Sequence, residues 1–455
     1  MTTADFRIDH HALAALHAQE TQRFIDTHPR SVALSGEDAA HYLFGVPLHW
    51  MRDWPTPATL HVQRAEGNRL WCADGHEYLD FCLGDTGAMF GHSPAPVARA
   101  IAAQAQRGLT AMLPSTLTSE VGRRLAECFG LPRWQVTLSA SDANRFVLRW
   151  ARAVTGRRKV LVFDGCYHGT VDDTLVDMDA QQRTITRASL LGQVHDLALG
   201  TVVVPFNDIA AVEAALARGD VACVLTEPAL TNCGLVPPQP GFLAQLQAAC
   251  RRHAALFVLD ETHTVSSGWG GHARVEGLSP DFIVVGKAVA GGLPCAVYGF
   301  TEAMNGRMET AKHAAPDGHS GIGTTLSANL LAMAALHASL GEVMTAAAYD
   351  QMLATAAAVE ARLRETLQQH GAPWTVTRLG ARMELQFCTE PPANAVQARA
   401  AMDEGVERAL HLWLLNRGIV ITPFHNMLLV SPQTRFGDAQ PLVTALGDFL
   451  SAVRA

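Results

Sequence analysis

The chain has 455 residues, 48% hydrophobic and 17% charged, with a formal net charge of −8. That is enough apolar material for one large core and a smaller second one, and the acidic balance leaves no electrostatic footprint for nucleic acid. No apolar run reaches membrane-spanning length, and the start, Met1-Thr2-Thr3-Ala4-Asp5-Phe6-Arg7, has no basic segment leading into an apolar one, so a cytoplasmic chain with no membrane partner is expected.

In chain order, residues 61–67 and 69–73 form a first strand pair, Asp74-Gly75 a turn and residues 78–81 a third strand. Short β-rich runs then alternate with helical patterns at 136–138, 160–163, 202–204, 221–225, 256–259, 282–285 and 296–300. This is the sequence form of a mainly parallel sheet covered on both faces. Between the first two lies an amphipathic helix over 144–154, with Phe146, Val147, Trp150, Ala151 and Val154 at helical spacing. A glycine-rich turn separates the last two strands, which predicts an antiparallel pair. From Asn329 the chain turns alanine-rich and helical to about residue 370. A second α+β unit follows: residues 382–387 alternate as a half-exposed strand does, and 418–421 and 427–430 give two more. The fold class expected is α/β, a large domain around a seven-stranded sheet over 86–335, with a smaller α+β domain from 1–85 and 336–455. The nine cysteines (Cys72, Cys82, Cys128, Cys166, Cys223, Cys233, Cys250, Cys295 and Cys388) include no CxxC pair, so neither a disulfide framework nor a metal site is expected.

Only three lysines occur. Lys159 and Lys312 stand among polar neighbours, whereas Lys287 ends the apolar run Phe282-Ile283-Val284-Val285-Gly286 and reads as buried. A lysine in an apolar site tends toward a neutral, nucleophilic amine able to form a Schiff base with an aldehyde; the plain alternative is a stem buried beneath a snorkelling head. Asp260 ends an apolar strand, where ligands bind in open α/β sheets. A buried carboxylate there needs a cation, and the protonated pyridine nitrogen of pyridoxal phosphate supplies one. Helix capping or an arginine partner is its plainer explanation. Ser139-Ala140-Ser141-Asp142-Ala143 turns from strand to helix with small side chains and suits a phosphate, or else marks a cap at Ser141. Thr324 and Thr325 in a second small-residue turn add hydroxyl donors. Tyr167 and His168 lie in a glycine-bounded loop after a strand, where an aromatic can stack on a planar cofactor. Cys166 with His168 is too small a set for a metal.

Together these segments resemble the class III aminotransferases of the fold-type-I, pyridoxal-phosphate-dependent superfamily, near glutamate-1-semialdehyde aminomutase and the ω- and β-amino-acid aminotransferases. The matching stretches run from Asp74-Gly75-His76 through Gly91-His92-Ser93-Pro94, Gly165-Cys166-Tyr167-His168-Gly169, Thr226-Glu227-Pro228, Asp260-Glu261 and Gly286-Lys287 to Thr325-Leu326-Ser327. The resemblance implies that Lys287 holds pyridoxal 5'-phosphate as a Schiff base and shuttles the proton, that Asp260 pairs with the ring nitrogen, and that Tyr167 stacks on the ring. It also implies phosphate binding by Ala140 and Ser141, a cofactor-binding role for His168 and Glu227, and a homodimer in which Thr325 reaches the partner's phosphate. Thr262 stands where the family commonly has valine, and His263, in place of glutamine or methionine, is expected near the ring hydroxyl. The two regions that carry substrate-binding arginines in β-amino-acid aminotransferases read Pro47-Leu48-His49-Trp50-Met51-Arg52 and Thr422-Pro423-Phe424-His425-Asn426. Arg52 or Arg382 is then a displaced carboxylate ligand or a surface residue, while Trp50, Met112 and Phe424 suggest a wide apolar pocket. The activity favoured from sequence is ping-pong transfer from an ω-amine or β-amino acid to a small keto acid such as pyruvate or 2-oxoglutarate. An aminomutase of the glutamate-1-semialdehyde type and a catalytically silent cofactor-binding protein are the alternatives.

Overall fold

The computed structural model describes residues 6–455; residues 1–5, part of the stretch read for a leader, lie outside it. Its strands are β1 (Val62–Glu66), β2 (Arg69–Cys72), β3 (Glu77–Asp80), β4 (Arg133–Thr137), β5 (Lys159–Phe163), β6 (Val176–Met178), β7 (Thr184–Thr186), β8 (Thr201–Val204), β9 (Val221–Thr226), β10 (Leu256–Asp260), β11 (Phe282–Val285), β12 (Ala296–Phe300), β13 (Thr375–Leu379), β14 (Arg382–Gln386), β15 (Ile419–Val420) and β16 (Met427–Leu429). The described residues fall into two compact units, one within Met1–Ser93, Asp350–Pro391 and Arg399–Ala455, the other Pro94–Tyr349 with Pro392–Ala398.

The second unit is built on a seven-stranded sheet in the order β4-β12-β11-β10-β9-β5-β8. β12 runs antiparallel to both of its neighbours, and the other pairings are parallel. Every residue of β9, β10, β11 and β12 is buried, which is why these strands read as unbroken apolar runs: helices on both faces leave no wet side to alternate with. Phe163 of β5, Phe206 and Phe242 meet edge to face at 5.0–5.8 Å between ring centres and pack the helix Phe242–Arg252 onto the sheet. Such pairs add ~0.5–1.5 kcal/mol each beyond the area they bury. The helix Ala140–Thr155 starts at Ser139, whose hydroxyl accepts from Asp142 N, and ends at Gly156 with φ 68°. The cap is therefore Ser139 and not Ser141. The helical stretch after Asn329 is interrupted: Leu330–Ala338 passes into a π turn over Ser339–Val343 before Ala346–His370 begins.

The first unit holds a four-stranded sheet, β1-β2-β3-β15, in which β15 runs parallel to β3, and an antiparallel sheet, β13-β14-β16. β14 departs from expectation, since all five of its residues are buried. The alternation is present: Met383 and Leu385 join the apolar core. The polar side is covered as well, because Arg382 is held by Thr86, Glu384 lies 3.5 Å from His425, and Gln386 accepts from Thr377. Arg382, at 1% exposure, is thus not a surface residue. All nine cysteines are free and eight are buried. Among the described residues no single helix is long and apolar enough to cross a membrane, and no group of three or more His, Cys, Asp or Glu is arranged to hold a metal ion.

Candidate active site

The carboxyl ends of the central strands bring the polar residues together. Asp260 is the last residue of β10 and pairs in register with Val284 of β11, and Lys287 follows two residues beyond the end of β11, at the same end of the sheet. The Asp260 carboxylate is buried, with Oδ2 accepting from Asn144 Nδ2 at 2.8 Å and His168 Nδ1 at 2.9 Å, and Oδ1 from Thr262 N at 3.1 Å. Burial alone would push this carboxyl up; the hydrogen bonds from His168, Thr262 and Asn144 outweigh it and hold Asp260 below the ordinary carboxylate value. Burial likewise works against charge on His168, yet Cys166 and the Asp260 carboxylate hold the imidazole above its usual value. Glu227, buried nearby, is pushed up by desolvation to about 7, with His168 and Thr231 moderating the rise. Glu261 faces away from this network and accepts from Thr264 Oγ1, His272 N and Ala273 N.

Lys287 is half-buried, not enclosed as its sequence neighbours suggest. Its backbone sits at φ 47°, a left-handed conformation that costs a lysine energy and occurs most often at functional sites. The amine lies 2.7 Å from His263 Nε2. Gly286 is required just before it, because a Cβ there would come within 2.9 Å of Ala140 Cβ. The same closeness recurs at Gly169, where a Cβ would meet Ser141 Oγ at 2.1 Å; this contact lets Thr170 N donate to Ser141 Oγ at 3.0 Å.

The structure therefore gathers Lys287 with His263, and Asp260 with His168 and Thr262, while Ser141 meets the loop that follows His168. Within that loop the two ring residues separate: His168 is 1% exposed and Tyr167 39%. Thr324 and Thr325 are exposed and, with Met112, line a cavity of about 880 Å³ that includes none of Lys287, Asp260, Tyr167 or His168. Trp50, Arg52, Arg382 and Phe424 belong to the first unit. There Trp50 meets Phe424 edge to face at 6.2 Å, Arg52 and Phe424 line a cavity of about 400 Å³, and Arg382 lies against Thr86, Met427 and Asp85. Asn144 is a residue the sequence reading missed. Its signal was a polar side chain on the buried stripe of a helix that also carries Val147 and Leu148.

Residues 51–444 match the family model for aminotransferase class-III. The chain belongs to the class III aminotransferases. A solved glutamate-1-semialdehyde-aminomutase from Pseudomonas aeruginosa PAO1 is 47% identical, covers 98% of this chain and 99% of its own, and superposes with a TM-score of 0.96. A lysine-to-alanine variant of it has been solved in complex with PMP. The glutamate-1-semialdehyde 2,1-aminomutase of Anaeromyxobacter sp. (strain Fw109-5) is 34% identical over 371 residues, 80% of this chain and 83% of that one. The β-phenylalanine aminotransferase of Variovorax paradoxus is 27% identical over 96% of this chain and 97% of its own, with a TM-score of 0.86. This class III aminotransferase is an α/β enzyme of the fold-type-I family whose cofactor is pyridoxal 5'-phosphate.

The residues present fit that cofactor. Thr262 Oγ1, His168 Nε2 and Glu227 Oε1 are buried without a hydrogen-bond partner among the described residues, which leaves them open to a polar ligand. His168 and Thr262 also donate to Asp260, whose carboxylate is held below its ordinary value. The first-turn N–H groups of Ala140 and Ser141 open a 16-residue helix, where an anion is favoured.

Proposed function

We propose that this class III aminotransferase works as an aminomutase of the glutamate-1-semialdehyde type, moving an amino group between adjacent carbons of one molecule. The observation that carries the reading is the near full-length match to an aminomutase at 47% identity, against 27% for the β-phenylalanine aminotransferase. It displaces ω-amine or β-amino-acid transamination, the activity favoured from sequence. The arginines that hold a β-amino acid's carboxylate are missing from both expected positions, and Arg382 is already engaged by Thr86 and Asp85.

When bound, the cofactor supplies an aldehyde for imine formation and an electron sink for charge released at the substrate carbon. Lys287 supplies the amine that holds it and, once freed, the base that takes the proton from one substrate carbon and returns it at another position. Asp260, kept charged by His168, Asn144 and Thr262, favours a proton on the pyridine nitrogen. Ser141 and the N–H of Ala140 bind the phosphate, Tyr167 covers a ring face, and Thr262, His168 and Glu227 complete the pocket. Thr324 and Thr325 serve the phosphate of a second copy in a homodimer, a reading supported by their distance in sequence and surroundings from Lys287's own neighbours. Trp50, Arg52, Met112 and Phe424 are the residues assigned to the substrate side.

The reading is tested by supplying glutamate 1-semialdehyde alone. Product with the amine on C1 and the carbonyl on C2 should accumulate without any second substrate. Sustained turnover of a separate amine donor with a keto acid, and none with the single substrate, would return the enzyme to the transaminase reading. Lys287→Ala should lose the borohydride-reducible adduct with the cofactor, and survival of that adduct would refute the lysine's role.

A further inference from the structure

We propose that His263 is the proton-holding partner of Lys287, a role that rests on the reading of Lys287 as the cofactor lysine. Nε2 of His263 lies 2.7 Å from Lys287 Nζ, a distance at which a proton passes directly between the two nitrogens. Both groups are fixed. The His263 ring is buried, its carbonyl is tied by Ser266 Oγ at 2.9 Å, and Lys287 is held in its left-handed backbone turn behind Gly286.

The chemistry demands such a partner. An ammonium is neither nucleophile nor base, so Lys287 must lose a proton before it attacks a carbonyl carbon or takes a proton from the substrate. With the imidazole beside it, that proton leaves Nζ for the Nε2 lone pair, giving a neutral amine and an imidazolium. It returns to Nζ when the amine must leave as an ammonium, and the exchange needs no water and no further reactant.

The nearby acids are occupied elsewhere. Asp260 accepts from His168, Asn144 and Thr262, and Glu261 from Thr264, His272 and Ala273, while His272 faces Ser267 Oγ at 3.2 Å. The Lys287 amine meets the imidazole of His263. An amide in that place accepts a hydrogen bond from the lysine but does not carry its proton.

The experiment follows the capture of pyridoxal 5'-phosphate by the full-length apoenzyme across pH, with borohydride reduction and peptide mapping to locate the adduct. His263→Gln keeps a hydrogen-bond acceptor beside Lys287. It should slow capture near neutral pH on the order of 100-fold, and the loss should shrink as rising pH removes the lysine's proton without help. Superposable pH profiles for the two proteins overturn the proposal. As a second measurement that needs no variant, the His263 ring resonances of the wild-type chain should titrate differently before and after Lys287 is reductively capped, and an unchanged titration also overturns it. An adduct mapped to a residue other than Lys287 in the wild-type chain fails the underlying reading instead.

Discussion

Replacing Asp260 by alanine removes the acceptor on which three buried donors converge: His168 Nδ1 at 2.9 Å, Asn144 Nδ2 at 2.8 Å and Thr262 N at 3.1 Å. Hydrogen bonds to a charged group contribute ~1.5–3 kcal/mol each, but they share one carboxylate and do not add. Breaking a buried ion pair by deleting one partner costs ~3–5 kcal/mol, and this is the loss expected for the apoprotein. Urea unfolding followed by tryptophan fluorescence near pH 6 measures it. A double-mutant cycle with His168→Phe then isolates the pair, with an expected coupling of ~1–3 kcal/mol. The sign of the pH dependence follows from the two shifts. His168 is raised, so its contribution is complete below its ordinary value of 6.5 and is lost as pH climbs through the raised value. Asp260 is lowered, so its contribution is present above the ordinary 3.8 and is lost on acidification below it. The gap between wild type and Asp260→Ala should therefore be widest between these values and narrow on the alkaline side. A cost under ~1 kcal/mol, or a gap that widens as pH rises above neutrality, would refute the ion-pair account.

Gly169→Ala places a methyl group 2.1 Å from Ser141 Oγ at a residue with φ 81°. Left-handed strain and overpacking together predict a loss of ~2–4 kcal/mol, read as a lower melting temperature, with weaker retention of the cofactor in dialysis; a variant melting with the wild type would mean the loop yields freely. Glu227 is raised from 4.5 to about 7, so its folded-state contribution is present below 4.5 and is lost as pH rises toward the higher value. A shift of that size is worth on the order of 3 kcal/mol at alkaline pH. Glu227→Gln should remove this dependence, flattening the stability curve between about pH 5 and 8, and an unaltered slope would assign the acid and alkaline limits to other groups.

The strands of the large sheet and the antiparallel last pair were legible because all but β4, which is Arg-Trp-Gln-Val-Thr, are local apolar runs bounded by turn residues. Lys287 and Asp260 became candidates for the same reason, each standing at the end of such a run. β14 was read half right, since its alternation is local but the cover on its polar side comes from residues 85–86 and 425, far away in the chain. Ser139 and Ser141 show the limit of local signals: both are small hydroxyl residues at a helix start, and only the observed cap at Asp142 N and the approach of Thr170 tell them apart.

Sequence by itself determined the strands of the large sheet and the fold class, because these depend on composition and spacing over a few residues; β6, β7 and β13 were not read from it. Tertiary structure decided the partnerships. Asn144 reaches Asp260 across 116 positions and His263 meets Lys287 across 24. Arg382 is spent inside its own unit. Such pairings arise from strand order and backbone approach, at Gly169 and Gly286 above all, and chain separation carries no trace of them.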